Sequence, residues 1–376
     1  MPNLRVALVG SGGITAHYLD VYRALDWVRV VVCMDAQKTV ADSAADFLSQ
    51  DEKTKPLATT DFASALADDV DVVVINTPNH LHHAQAIPAL EAGKHVLLQK
   101  PIAPTVKEAE EIAAAARNAR GLAGLYMSYF DQPLLHDLKA MKAAGFFGDV
   151  NHYYAKLMHR WGMLWSTRSL EGQGTWREST SQTGGGCFVQ LAVHFTHILE
   201  WISDERIVRA TAVTRNLRCP GTEGEDIASA ILEFESGALA TLDMAWNSYG
   251  EQLSIHGTGG SAEYINNRLL VLESRDTPFK GRVVDYTPST AARFPEIQGT
   301  EQTTELSPPA MSDYNNPLNQ HRIFLEAVRD GKQPFVPMHT GLDDLRIVAA
   351  VYESARRGCT VPVQHATTAV VTKSSN

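Results

Sequence analysis

The stretch Val6-Ala7-Leu8-Val9-Gly10-Ser11-Gly12-Gly13-Ile14-Thr15 decides how this chain is read. Four consecutive apolar residues have the length of a strand buried on both faces. They run directly into glycine. Gly10 permits a tight turn, Gly12 lets a ligand approach the backbone, and Gly13-Ile14 opens a helix. A helix start presents unpaired N–H groups and partial positive charge, which suits a pyrophosphate. Thr15 stands where a third glycine or alanine is usual, an expected source of crowding between helix and strand.

The same alternation spreads outward. Strand-like runs recur at 28–33, 70–75 and 95–98, and helix-like stretches fall at 14–25, 40–49, 82–92 and 106–119. Alternating strands and helices imply a parallel sheet covered on both faces, over about residues 1–125. Asp35 closes the second strand, 25 residues after Gly10. A carboxylate there can accept hydrogen bonds from ribose hydroxyls and repels a 2′-phosphate. NAD is therefore expected over NADP, with Lys38 the one nearby cation that tempers the preference. A glycine turn that merely packs a helix closely is the bland alternative.

From about residue 126 strands follow one another directly, at 150–158, 208–215, 227–234, 238–247 and 252–257, which suggests an α/β domain on an open, mostly antiparallel or mixed sheet. A helix over 187–202 interrupts them. Residues 273–316 read as a long surface excursion, 319–329 and 342–357 as closing helices, and 365–376 as a tail.

Composition excludes several classes. The 376 residues suffice for two domains, and 44% hydrophobic with 20% charged is ordinary for a globular protein. The formal net charge of −10 argues against nucleic acid and anionic membrane as partners. No apolar run reaches membrane-spanning length, no secretory leader layout is visible, and the four cysteines show no paired spacing, so a reducing, cytoplasmic setting is expected.

Further signals lie at strand ends, where open α/β sheets bind ligands. One strand ends Ile75-Asn76-Thr77-Pro78-Asn79-His80 and is followed by His82-His83; the next reads Ala92-Gly93-Lys94-His95-Val96-Leu97-Leu98-Gln99-Lys100-Pro101. Thr77 and Pro78 could line a cofactor cleft. Lys100, a cation at a strand end, could polarise a substrate oxygen. Without this context it would read as a surface lysine. Further on, Gly184-Gly185-Gly186 precedes a helix carrying Gln190, His194 and His197 at i, i+4 and i+7, on one face.

Taken together these segments resemble the glucose–fructose oxidoreductase/inositol dehydrogenase/MocA (Gfo/Idh/MocA) family. Glu225-Asp226, Gly257-Thr258-Gly259-Gly260 and Tyr352-Glu353-Ser354-Ala355 fit the same pattern, which covers about residues 4–364. The resemblance implies a Rossmann domain joined to an α/β domain often used for oligomer contacts, with a homodimer or homotetramer expected. It implies nicotinamide-dependent oxidation or reduction of a sugar, cyclitol or similar small molecule. The chain also departs from the pattern. Gln99, Gln190 and His197 stand where the family resembles carboxylates, and Tyr129-Phe130 where it often has Arg before Phe.

The expected catalytic pair is Lys100 and His194, with His194 the acid/base because Gln190 cannot take a proton. Expected cofactor contacts are Gly10, Gly12, Gly13, Ile14, Asp35, Thr77, Pro78, His82, Gln99 and Lys100. Expected substrate contacts are Gln190, His197, Tyr129, Arg160, Trp161, Trp176 and Arg177, since aromatic faces and arginine forks suit sugars and acids. Those aromatics could equally form an oligomer contact, and His197 could be a satisfied structural histidine. The loss of carboxylates makes an anionic substrate more tolerable. HxxH alone does not make a metal site, so no metal is expected. Two rival functions stay open: a redox-neutral glycosidase or epimerase that recycles NAD through a transient keto-sugar, and a non-enzymatic NAD- and ligand-responsive binding protein.

Overall fold

The computed structural model describes residues 4–49, 55–265, 268–273 and 315–365. The expected surface excursion and tail lie almost wholly outside them. The N-terminal sheet consists of six parallel strands: β1 (Leu4–Val9), β2 (Val28–Met34), β3 (Leu57–Thr59), β4 (Val72–Ile75), β5 (His95–Gln99) and β6 (Ala123–Tyr126). Their order is β3-β2-β1-β4-β5-β6, so the direction of winding reverses between β1 and β4. That reversal opens a crevice at the strands' C-terminal ends, where Gly10 and Asn76-Thr77 lie. The strands are apolar on both sides because helices cover both faces. Val6 to Val9 and Val72 to Ile75 are all buried.

The helix expected over 14–25 is two short ones, α1 (Gly13–Ala16) and α2 (Leu19–Ala24). The break at His17-Tyr18 turns Tyr18 inward, where its ring packs 4.2 Å from that of His321. Thr15 does not crowd the strand. Its buried hydroxyl donates to the Gly10 carbonyl and accepts from Asn76 Nδ2 at 3.0 Å, so the extra polar atom is satisfied. Helices α3 (Lys38–Leu48), α4 (His82–Glu91) and α5 (Val106–Asn118) complete the layers.

After α6 (Pro133–Ala143), strand β7 (Val150–Met158) enters the middle of a second sheet. Helices α7 (Trp161–Leu170), α8 (Thr180–Thr183) and α9 (Cys187–Ser203) follow. Next come β8 (Ile207–Arg215), β9 (Ile227–Phe234), β10 (Leu239–Ala245), β11 (Gly250–Gly257), β12 (Gly260–Ile265) and β13 (Arg268–Glu273). With β14 (Val361–Pro362) the order is β13-β12-β11-β7-β10-β9-β8-β14. Only β7 and β10 pair in parallel, so the sheet is mostly antiparallel as expected. Its inner face carries small residues, Ala210, Ala212, Ala228, Ala230 and Ala240, which let helices come close. Helix α9 lies there, buried on nearly every side, with α11 (Gly341–Arg357) packed against it and against β8. Helix α10 (Gln320–Asp330) returns to the first sheet and adds Phe324 and Leu325 to its core.

Candidate active site

The glycine turn has the form a dinucleotide needs. Gly10 has φ +83°, and a Cβ there would sit 2.8 Å from the Asn76 carbonyl carbon. At Gly13 a Cβ would meet nothing within 4 Å, so this part of the backbone faces open space beside Ile14. Asp35 stands over the turn. Its Oδ2 lies 3.6 Å from where a Gly12 Cβ would be, and its Oδ1 accepts from the Gln37 amide at 3.0 Å. Lys38, the tempering cation, is paired with Asp42 at 2.5 Å. Across the crevice Thr77 donates to Gln85 Oε1 at 2.6 Å beside Pro78, and Gln99 Oε1 accepts from the Lys100 amide at 3.0 Å.

His82, expected to touch the cofactor, does not face the crevice. It is fully buried, with Nδ1 2.9 Å from the Pro101 carbonyl and Nε2 3.0 Å from the Thr77 carbonyl. Burial lowers its pKa to about 4, so the ring is neutral and donates to one of the two carbonyls while packing between the loop after β4 and the loop after β5. It positions both loops.

Lys100 reaches across the domain boundary, where Nζ donates to the Gln190 backbone carbonyl at 2.8 Å. Burial, and then the neighbouring Arg177 cation, lower its pKa to about 8. One turn further along α9, His194 is 5% exposed and packs at a tilt against Tyr129 with ring centres 4.9 Å apart. Burial, then Lys100 and His197, push His194 well below the usual histidine range, so it is neutral. Its Nδ1 and the Nε2 of Gln190 are buried atoms without a hydrogen-bond partner. Two orphaned polar atoms one turn apart, beside an ammonium, are what a site for a polar ligand leaves open.

The N-terminus of α9 is held by groups from three distant segments. The Glu225 carboxylate accepts from the Gly186 and Phe188 amides at 3.0 and 2.8 Å, and from the Tyr352 hydroxyl at 2.9 Å. The Tyr352 hydroxyl in turn accepts from the Val189 amide at 3.2 Å. A Cβ at Gly186 would collide with the Glu225 backbone, which explains the glycine there. The carboxylate satisfies orphan N–H groups at the positive end of the helix.

His197 is engaged elsewhere than in the cleft. Its Nδ1 lies 2.9 Å from Asp344 Oδ2 on α11, and its ring meets Phe130 edge-on at 5.7 Å. Burial alone would lower its pKa, but the Asp344 carboxylate outweighs that and raises it. The ring thereby joins α9 to α11 through Asp344, a buried partner that the sequence did not reveal.

The aromatic segment divides in two. Arg160 and Trp161 stay at the rim: the Arg160 guanidinium lies over the exposed Tyr249 ring at 5.7 Å, and Trp161 is 57% exposed. Trp176, Arg177, Trp165 and His159 turn inward. The Arg177 guanidinium lies 4.6 Å from the Trp176 ring centre and 5.4 Å from that of Trp165. His159 meets Trp165 edge-on at 6.4 Å. Burial and then Lys100 lower the pKa of His159 to about 4. Two groups went unforeseen. Glu251 and Tyr264, on β11 and β12, act on Tyr129, whose hydroxyl is held far above its usual range by burial first and then by both of them. Their only sequence signal was an inward position on strands whose register was not yet known.

Among the described residues no group of three His, Cys, Asp or Glu side chains is placed to hold a metal ion, and no helix is long and apolar enough to cross a membrane.

Comparison with known proteins bears on this geometry. Residues 4–126 match the family model described as an oxidoreductase family with an NAD-binding Rossmann fold, and residues 135–263 match the GFO/IDH/MocA C-terminal domain. A 1,5-anhydro-D-fructose reductase of Ensifer adhaerens is 32% identical over 197 residues, 51% of this chain and 56% of that reductase. A levoglucosan dehydrogenase of Pseudarthrobacter phenanthrenivorans is 26% identical over 303 residues, covering 71% of this chain and 75% of the relative. A solved levoglucosan dehydrogenase in complex with NADH superposes with a TM-score of 0.81 at 23% identity, over 97% of this chain and all of that one, a likeness of fold.

Proposed function

We propose, for a chain that belongs to the Gfo/Idh/MocA oxidoreductase family, that it oxidises a secondary hydroxyl of a sugar, cyclitol or sugar derivative, or reduces the corresponding carbonyl. Residues 1–125 would hold NAD and 126–364 would hold the substrate and form homodimer or homotetramer contacts. The observation that carries the reading is the meeting of Lys100 Nζ, neutral His194 and the unpartnered Gln190 Nε2 at the start of α9.

Gly10, Gly12, Gly13 and Ile14 would take the pyrophosphate, Asp35 the adenosine ribose, and Thr77, Pro78 and Gln99 the remainder of the dinucleotide. NAD, when bound, supplies the hydride acceptor. The Lys100 ammonium stabilises the alkoxide that develops as the hydroxyl loses its proton. The proton passes to the His194 imidazole, which is neutral with Nδ1 unpartnered. Gln190 and Tyr129 orient the sugar, and the Trp176 and Trp165 faces exclude water beside it.

The test is absorbance at the NADH band, with NAD and a panel of polyols, in wild type and Lys100→Ala. NADH formation that needs Lys100 is expected. Product without net NADH would replace this reading with redox-neutral chemistry. Tight NADH binding with no product from any candidate would replace it with a binding protein.

A further inference from the structure

Arg177 is held in a way that a neutral sugar site does not require. It sits in the short turn 176–178, whose own carboxylate is occupied: Glu178 Oε2 accepts from the Thr175 amide at 2.6 Å, closing a capping box. No carboxylate among the described residues forms an ion pair with the Arg177 guanidinium. Its guanidinium carbon lies over two tryptophan rings, which hold the fork between aromatic neighbours. A second cation, Lys100, is near enough for the Arg177 charge to lower its pKa, after burial. Gln99 bonds the Lys100 backbone amide and Gln190 offers its main-chain oxygen to Nζ, and neither carries a charge to neutralise it. Glu178 favours the Arg177 charge through space without forming an ion pair, and two neighbouring cations in a half-buried cleft remain costly, a cost that a bound anion relieves.

We propose that the substrate carries a carboxylate, bound by the Arg177 fork, so that this is an oxidoreductase of sugar acids such as uronates or aldonates. The proposal rests on the oxidoreductase reading for the reaction and on the placement of Arg177 over the Trp176 and Trp165 rings for the specificity. A carboxylate matches the planar fork with two parallel N–H···O bonds, and a lysine at the same place would offer only a point charge. Arg177 is thus a specificity-determining residue, and Lys100 remains available for the reacting hydroxyl.

The experiment compares matched pairs that differ only in the acid, D-glucuronate with D-glucose and D-galacturonate with D-galactose. It uses the full chain with NAD, and reads both NADH formation and calorimetric binding in the presence of NADH. The acid of at least one pair is expected to be preferred. Arg177→Gln is expected to raise its KM by roughly thirtyfold or more, with a much smaller change in kcat and for the neutral partner. Arg177→Lys should recover part of the affinity but not the wild-type value, and NADH fluorescence titration checks that each variant is folded. Preference for the neutral members, or equal losses on both members in Arg177→Gln, overturns the carboxylate site while leaving the oxidoreductase reading in place. Acid-selective binding that needs Arg177 but yields no NADH supports the carboxylate site and removes the oxidoreductase reading.

Discussion

On the proposed cofactor side of the cleft the surface is mostly backbone; on the proposed substrate side it is side chains held at depth. Gly10 to Ile14 present peptide groups whose placement follows from a strand, a turn and the lack of Cβ atoms. Lys100, His194, Gln190 and Arg177 come from β5, α9 and a short turn far apart in the chain. Their properties depend on burial and on one another. A backbone site tolerates little change in the residues that shape it, whereas a side-chain site can be retuned one residue at a time.

The largest effect expected is on the side-chain half. Lys100→Ala should lower kcat/KM for the oxidised polyol by about two to three orders of magnitude, measured by NADH formation, with the variant still taking up NADH. A loss of less than about tenfold would shift the electrostatic work to another group.

On the backbone half, Gly10→Ala imposes a left-handed backbone on alanine and pushes a Cβ into Asn76. That strain is worth about 1–3 kcal/mol, and the turn can escape it only by moving. NADH affinity should therefore fall by tenfold or more on that scale, roughly, with a lowered melting temperature. Unchanged NADH binding would detach the turn from the cofactor.

Glu225→Ala tests the support under the side-chain half. It strips the acceptor from two α9 amides and the Tyr352 hydroxyl, and should cost about 1–3 kcal/mol in urea unfolding. Because α9 carries Gln190 and His194, kcat should fall as well.

The finest distinction comes from pH. His194 is already neutral throughout the range above its lowered pKa, so gaining or losing its proton should not shape the profile near neutrality. Lys100 loses its charge above about 8. The oxidation rate should then be level around pH 7 and fall by about tenfold per pH unit beyond that point. A limb that rises through pH 8 would reassign the proton-accepting role from His194 to the Lys100 amine.

Much of the fold was legible because buried parallel strands announce themselves: Val6 to Val9 and Val72 to Ile75 are unbroken apolar runs. Strand β6, Ala123-Gly124-Leu125-Tyr126, gave no such signal, since alanine and glycine are weak strand formers and its place is set by pairing with β5. Helix α7 was missed because its Trp, Gly, Ser and Thr residues lower helix propensity and tertiary contacts decide it. At the break between α1 and α2 Tyr18 packs against His321, some 300 positions away, a contact that no local pattern contains. At the candidate site, the shared face of Gln190 and His194 was readable from helical spacing. The inward turn of Arg177 and the outward turn of Arg160 were not, because side-chain direction there follows from α7 and its neighbours. His197 was ambiguous for the same reason, since Asp344 lies on a helix near the far end of the chain.

Lys100 is anchored to the main-chain oxygen of residue 190, and a main-chain oxygen is present whatever amino acid occupies the position. The lineage can therefore exchange the side chain at 190 while the lysine keeps its anchor. Exchanging an acid for glutamine there would alter what the pocket recognises and leave the placement of its ammonium inherited.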